Sequence, residues 1–143
     1  MAKPLVEFAD PEVAIRTYLD GAFTGLLAAR KPTTIAQTPP SSALGTASHV
    51  QVELDGSFVG DYPATDRATI RVNCVTGSGK RSDVKALASL VQGLVSIHPG
   101  DDDVYGTYPL VGRSSVITDP ATKNLMVWFT FRVNLRPHAV VVA

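Results

Sequence analysis

The sequence has little of what reactive chemistry requires. Its 143 residues include a single cysteine, Cys74, and three histidines. One cysteine can form neither an intramolecular disulfide nor a multi-cysteine metal site, which favours a reducing compartment. His49, His98 and His138 are not spaced as in any metal-binding motif. The sequence therefore predicts no disulfide, no metal and no cofactor.

An excess of charge of one sign is also missing. The chain has 13 basic and 13 acidic residues, so the sequence predicts no electrostatic footprint for nucleic acid. No segment approaches the ~20 consecutive apolar residues of a membrane-spanning helix. Residues 1–13 contain no apolar run of signal-peptide length. We therefore expect no membrane partner and assembly in the cytoplasm.

Two helices are predicted from caps and from helical spacing of apolar residues. Asp10 is followed by Pro11 at the first helical position, and an apolar stripe then runs from Ile15 to Leu27. This helix should end near Arg30, because Pro32 disfavours its continuation. Ser82 or Asp83 is expected to cap a second helix, which should stop before Pro99.

Four strands are predicted from alternation of apolar and polar residues, at 49–54, 67–75, 112–117 and 125–136. The last two should form an antiparallel hairpin around the turn at 118–123. The order helix, strand, strand, helix, strand, strand predicts an α+β fold. We expect one domain over 1–143, with two layers: a mainly antiparallel four-stranded sheet and both helices packed on one of its faces.

Long connections separate these elements. Residues 31–48 are rich in Pro, Ser, Thr and Ala without a period, which predicts a long loop. This loop is either a simple connector or a segment that orders against a partner. A second loop is expected at 55–66 and a further irregular segment at 99–112, and residues 137–143 form a short apolar tail.

The turn at 77–82 resembles a phosphate-binding loop, because a strand, a glycine-rich turn with a lysine, and a helix follow one another. The P-loop requires the spacing G-x-x-x-x-G-K-[ST]. Anchored on Gly79 and Lys80, the first glycine position holds Cys74 and the hydroxyl position holds Arg81. Two of the four fixed positions therefore disagree, and the sequence favours a solvated turn. Lys80 and Arg81 keep open the alternative of an anion contact at the helix start.

The remaining candidates are contacts rather than catalysts. Asp101, Asp102 and Asp103 lack the spacing of a calcium loop, so they are either a solvated loop or a charged contact to a neighbouring subunit. Trp128 lies on the strand face opposite the apolar row, as does Arg132. An exposed Trp is a common interface anchor. The alternative is that loops cover Trp128. No acid–base pair or activated nucleophile is found, so we expect a protein that is not an enzyme.

The overall pattern resembles the tail-terminator proteins of long-tailed bacteriophages, especially those infecting actinobacteria. The matching segments are "VEFADPEVAIRTYLDGAF" at 6–23, "ATIRVNCVTGSGKRSDVKALASLVQGLV" at 68–95 and "GRSSVITDPATKNLMVWFTFRVNLR" at 112–136. These segments are spread over most of the chain, from residue 6 to residue 136, and the resemblance lies in their order, length and local character.

The resemblance implies a structural role at the junction of tail and neck in the virion. Such proteins form a ring, usually of six copies, that caps the tail tube, stops its polymerisation and meets the head-side connector. DNA passes through the ring without being read, and no catalytic residues are implied. The alternatives are another neck or head-closure protein, or a small anion- or nucleotide-binding enzyme built on the 77–82 turn.

Overall fold

The computed structural model describes residues 4–59 and 64–140. Two α-helices, α1 (Pro11–Ala22) and α2 (Arg81–Ser96), lie within these ranges. The strands of the described residues are β1 (Val6–Glu7), β2 (Thr34–Ala36), β3 (Ser48–Val59), β4 (Asp66–Thr76), β5 (Val104–Val111), β6 (Ile117–Thr118), β7 (Leu125–Leu135) and β8 (His138–Ala139).

The main sheet has the strand order β2-β3-β4-β7-β5, and β6 pairs with the first residues of β7. All its pairs are antiparallel except β2 with β3, which are parallel. The α+β class is confirmed, as is the order of the large elements. The strand number differs, because the main sheet has six strands rather than four, and β1 pairs with β8 in a separate two-stranded sheet.

Both helices pack on one face of the main sheet. The buried residues of α1 and its C-cap are Ile15, Leu19 and Phe23. The buried stripe of α2 consists of Val84, Ala88, Val91, Leu94 and Val95. They meet the alternate residues of the three longest strands, which are Val50, Val52, Ala68, Ile70, Val72, Cys74, Val127, Phe129, Phe131, Val133 and Leu135. The predicted apolar row of β7 therefore lies in the core, on the side of the sheet that faces the helices.

Helix α1 begins as predicted but ends earlier. The Asp10 carboxylate accepts a hydrogen bond from the Glu12 backbone amide at 2.9 Å, and Pro11 occupies the first turn. The α-helix stops at Ala22 rather than near Arg30. Gly25 has φ +74°, a left-handed conformation that ends a helix, and a separate 3₁₀ helix then covers Gly25–Arg30.

The strand predicted at 112–117 is wrong in position. The long strand of this region is β5, which lies earlier and starts at Val104, while β6 contains only Ile117 and Thr118. The predicted hairpin is present, because Ile117 pairs with Met126 and Thr118 with Leu125. Within its turn the pKa of the Asp119 carboxyl is lowered, chiefly by the hydrogen bond from the Ala121 backbone amide.

Four segments expected to lack secondary structure contain strands, and the first of them is the 99–112 segment, which holds β5. The 31–48 segment holds β2, and the 137–143 tail holds β8. The 55–66 loop is shorter than expected, because β3 continues to Val59 through a register shift between Leu54 and Gly56. Residues 60–63 of this loop and residues 141–143 of the tail lie outside the described residues.

Replacing Asp10 with alanine should destabilise the protein by about 0.5–2 kcal/mol, because the first turn of α1 loses its capping acceptor. Asp10→Ser is the matched control, since a serine hydroxyl accepts the same hydrogen bond. Urea unfolding followed by circular dichroism measures both variants. Equal stability of Asp10→Ala and wild type would contradict a capping role.

Candidate functional site

The 77–82 turn places its polar groups against its own helix. The Ser78 hydroxyl donates to Asp83 Oδ2 at 2.7 Å, and the Lys80 backbone amide donates to Ser78 Oγ at 3.3 Å. Asp83 therefore supplies negative charge in the first turn of α2, where a bound anion would otherwise interact with the helix dipole. Lys80 and Arg81 are exposed. Lys80 is the N-cap of α2 and Arg81 its first residue, so the cap predicted at Ser82 or Asp83 is wrong by two or three residues. This arrangement disfavours a phosphate site.

The backbone geometry of the turn explains why both of its glycines, Gly77 and Gly79, are present. A Cβ on Gly77 would lie 2.5 Å from the Gly45 nitrogen and 2.6 Å from the Gly45 oxygen, so the chain around Gly45 packs directly on the turn. Gly79 has φ +77°, which disfavours any side chain. The sequence pattern that resembles a phosphate loop is thus explained by close backbone packing and a left-handed residue.

The same packing holds the second half of the 31–48 segment in place. Asn124, which is buried, accepts from the Leu44 amide at 3.0 Å and donates to the Ser42 carbonyl at 3.1 Å. Nε2 of His49 lies 2.8 Å from the Thr38 carbonyl oxygen. The segment is therefore ordered by its own chain rather than acting as a simple connector.

Gly77→Ala should destabilise the protein, because the new methyl group would overlap the backbone at Gly45. We expect a loss of about 1–3 kcal/mol, as for other overpacked sites. Gly93→Ala is the matched control: Gly93 lies in α2 with no atom within 4 Å of the added Cβ, so stability should rise by about 0.5–1 kcal/mol. Thermal unfolding of both variants tests the contrast, and an unchanged Gly77→Ala would refute it.

Asp101, Asp102 and Asp103 differ in the contacts that their side chains make. Asp101 Oδ1 accepts from the backbone amides of Asp103 and Val104, both at 2.8 Å, and so shapes the entry to β5. Asp103 Oδ1 lies 2.8 Å from Nε2 of His138 and links this entry to β8. Asp102 is exposed. The structure thus uses two of the three carboxylates within the chain and leaves Asp102 at the surface.

His98 lies just after α2 and is buried. Its ring centroid is 4.1 Å from that of Tyr18, whose hydroxyl donates to the Leu94 carbonyl at 2.6 Å. Nδ1 accepts from the Gly100 amide at 2.9 Å. Burial lowers the pKa of His98, and the nearby Asp101 carboxylate opposes this only in part. His98 therefore joins α1 to the end of α2 as a neutral ring.

Stability should fall in mild acid because of His98. Its folded-state pKa lies below the ordinary value of about 6.5, so the unfolded chain binds the proton more readily. The contribution of the neutral ring is complete above that ordinary value and is lost as pH falls towards the folded-state pKa. His98→Gln keeps a hydrogen-bond acceptor and removes the titration. Wild type should lose more unfolding free energy than His98→Gln between about pH 7.5 and 5.5; parallel pH curves would contradict this.

The face of the sheet opposite the helices holds a polar network that includes Trp128. The Arg71 guanidinium lies 4.3 Å from the Trp128 ring centroid, and its Nε donates to Asn73 Oδ1 at 3.0 Å. Nε of Arg71 is also 3.7 Å from Glu53 Oε1. Trp128 is half-buried, and a neighbouring arginine stacks on it. Arg132 is half-buried on the same face, opposite Thr69.

Strand β5 forms an apolar edge that sequence reasoning missed. It is the last strand of the sheet, and four of its large side chains are exposed: Tyr105 by 44%, Tyr108 by 54%, Leu110 by 44% and Val111 by 52%. The sequence pattern predicts a strand at 112–117 instead. The alternation that marks a half-buried strand is interrupted here by two register shifts, one of them at Pro109.

The opposite side of the sheet is also partly open. Strand β2 pairs only with residues 49–51 of β3, so the outer side of β3 has no described strand beside it from Val52 onward. The Leu54 amide instead donates to Glu12 Oε2 at 2.6 Å. Leu54 is exposed here, and so is Val13, the residue of α1 that follows Glu12. Each side of the main sheet therefore presents apolar side chains to solvent.

The described residues contain no group of three or more His, Cys, Asp or Glu side chains placed to hold a metal ion. Cys74 is fully buried, and burial raises the pKa of its thiol strongly. Among the same residues, no helix has the length and apolar character needed to cross a membrane.

The fold is similar to that of a protein in the virion of a native gene transfer agent particle. The TM-score is 0.61 and the identity 16%, and the match covers 88% of this chain and 94% of the other. No protein-family model matches the sequence, and no curated protein matches it by sequence. The chain therefore shares its fold, over nearly its full length, with a component of a virion-like particle.

Proposed function

We propose that this chain is a structural protein of a virion and that it forms the ring that ends the tail tube. The observation that supports this most is the fold shared with a chain of a gene transfer agent virion, because the match spans nearly all of both chains. The order of sequence segments that resembles tail terminators agrees with the same class of particle.

The surfaces of the chain fit a protein that works by contact. A closed ring needs two different surfaces on each copy, one for each neighbour. The sheet has two such sides, the β5 edge and the outer side of β3, and both expose apolar side chains. Apolar patches of this kind on a soluble protein often mark interaction sites.

The partners in this proposal are further copies of the chain, the tail tube protein and the head-side connector. A ring of six copies is the expected number, at the junction of tail and neck. DNA passes through it without specific binding, in keeping with a net charge of zero. Trp128, Arg132, Lys80, Arg81 and the Asp101–Asp103 segment are the candidate contacts. The exposed members of this group are Asp101, Asp102, Lys80 and Arg81.

Another neck protein, such as a head-closure component, is the second candidate, since it too is a contact-forming virion protein. The nucleotide-binding alternative is less well supported. In the turn that would hold a phosphate, Asp83 already accepts the hydrogen bond of the Ser78 hydroxyl, and Gly77 packs against the backbone of Gly45.

Electron microscopy of particles made without this chain tests the role. Loss of a tail terminator should give tubes longer than those of wild type and without heads, and supplying the chain again should restore the normal length. Tails of normal length that are separate from the heads would instead indicate a head-closure protein. Normal tails joined to heads would contradict both roles.

A further inference from the structure

We propose that the free chain forms a two-fold dimer in which β5 of one copy lies antiparallel beside β5 of a second copy. The surface that the dimer covers, called here the β5 edge, consists of Tyr105, Tyr108, Leu110 and Val111. The dimer goes beyond the proposed ring, because it is a state of the chain before it meets the tail tube.

The β5 edge lacks the protection that exposed edge strands normally have. Four of the nine exposed large apolar side chains of the described residues lie within the eight residues of β5. Edge strands of monomeric proteins are usually short or charged, because an exposed apolar edge promotes association. Strand β5 contains no charged residue from Val104 to Val111. Its outer side is therefore a surface suited to cover by another strand.

The start of β5 carries negative charge. Asp101–Asp103 lie directly before the strand. Two cationic side chains lie beside them: the Arg136 guanidinium is 4.2 Å from the Tyr105 ring centroid, and Nε2 of His138 is 2.8 Å from Asp103 Oδ1. Even when both of these side chains are counted as charged, the three carboxylates leave this end of the strand negative.

The end of β5 carries positive charge. Arg113 follows the strand and is exposed. Its Nη1 donates to Gln92 Oε1 at 2.6 Å, which positions the guanidinium without neutralising it. Lys85 lines the same shallow cleft as Arg113. A strand that begins in negative charge and ends in positive charge is complementary to a second copy that runs in the opposite direction.

One register brings together both the charges and the apolar side chains. In an antiparallel two-fold pair, the axis passes between two copies of the same residue. With Tyr108 at the axis, Tyr105 lies opposite Val111 of the second copy, and this contact occurs twice. Arg113 then lies opposite Asp103. Tyrosine is a frequent anchor of interfaces, and the two Tyr108 side chains meet at the centre of this one.

The paired strands place their apolar side chains on one face of the joined sheets. Tyr108 pairs with Arg132 and Val111 with Thr130, so both lie on the face opposite the helices. Pro109 donates no backbone hydrogen bond, so side chains must supply most of the contact. The Arg132 side chains of the two copies are three strand spacings apart, about 14 Å. This exceeds the screening length of about 8 Å at physiological ionic strength, so they oppose the contact little.

The dimer and a ring built on the β5 edge exclude each other. A two-fold contact uses the same surface on both copies and closes on itself, whereas a ring needs two different surfaces. A ring that uses the β5 edge therefore cannot form until the two copies separate. We expect the purified chain to be a dimer, with ring formation coupled to its dissociation.

Sedimentation equilibrium of charge variants tests the pairing. Arg113→Asp places a carboxylate beside the acidic end of β5 at two symmetric positions, so the dissociation constant of the dimer should rise by about tenfold or more. Asp102→Arg should do the same, and it leaves the hydrogen bonds of Asp101 and Asp103 in place. The double variant Asp102→Arg/Arg113→Asp exchanges the charges and should recover most of the wild-type affinity. Lys31→Asp is the matched control, since Lys31 is exposed and precedes β2, at the far end of the sheet.

The results separate the dimer from the proposed function. A wild-type chain that stays monomeric at its highest soluble concentration overturns the dimer, as do equal dissociation constants for Arg113→Asp and Lys31→Asp. A double variant no tighter than either single variant overturns the antiparallel pairing. None of these results bears on the tail-terminator role, which is tested by particles made without the chain. Normal tails joined to heads in those particles would contradict that role and leave the dimer standing.

A single introduced thiol locates the two-fold axis. Tyr108→Cys places two thiols at the axis, where opposite Cα atoms are about 4.5–5.5 Å apart, within the span of a disulfide. The native thiol, Cys74, is buried. Oxidation should therefore give a covalent dimer and no larger species. Leu54→Cys is the control, since Leu54 is exposed on β3, and it should give no covalent dimer. Cross-linking of Leu54→Cys but not of Tyr108→Cys would contradict the pairing.

Discussion

Burial of one row of apolar side chains along β7 is the interaction on which the rest of the structure depends. Strand β7 pairs with β4 along its whole length on one side and with β5 and β6 on the other. Its inner residues include Phe129 and Phe131, which are almost fully buried under the helices. Burying a side chain of this kind contributes about 1.5–3 kcal/mol. Helix α2 and the three strands that pair with β7 are positioned by this row, while α1 packs on β3, β2 and α2.

The same alternation decides what lies on the other face. Because neighbouring residues of a strand point to opposite sides, fixing Phe129 and Phe131 inward places Trp128 and Thr130 outward. A tryptophan on an uncovered face is stabilised here by Arg71, whose guanidinium stacks on the ring and is itself held near Glu53. The polar network is therefore a consequence of core packing. It orders the face opposite the helices within the chain itself.

Signals that are local in sequence made much of the fold predictable. The cap at Asp10, the apolar row of β7 and the stripe of α2 depend on residues close in the chain, and each was found. Strand β5 was misplaced because Pro109 and the register shifts disturb its alternation. The pairing of β2 with β3, and the contact between Gly77 and Gly45, depend on residues far apart, so no local pattern indicates them. The apolar edge of β5 is not evident from the sequence because Pro109 and the register shifts disturb the alternation of that strand.

A net charge of zero does not imply an uncharged surface. The face of the sheet opposite the helices includes Arg71 and Arg132, and Glu53 lies beside Arg71. Because successive residues of a strand point to opposite faces, the apolar rows that build the core leave these charged side chains on the other face. The same alternation therefore determines both where the core forms and where the charges of the central strands lie.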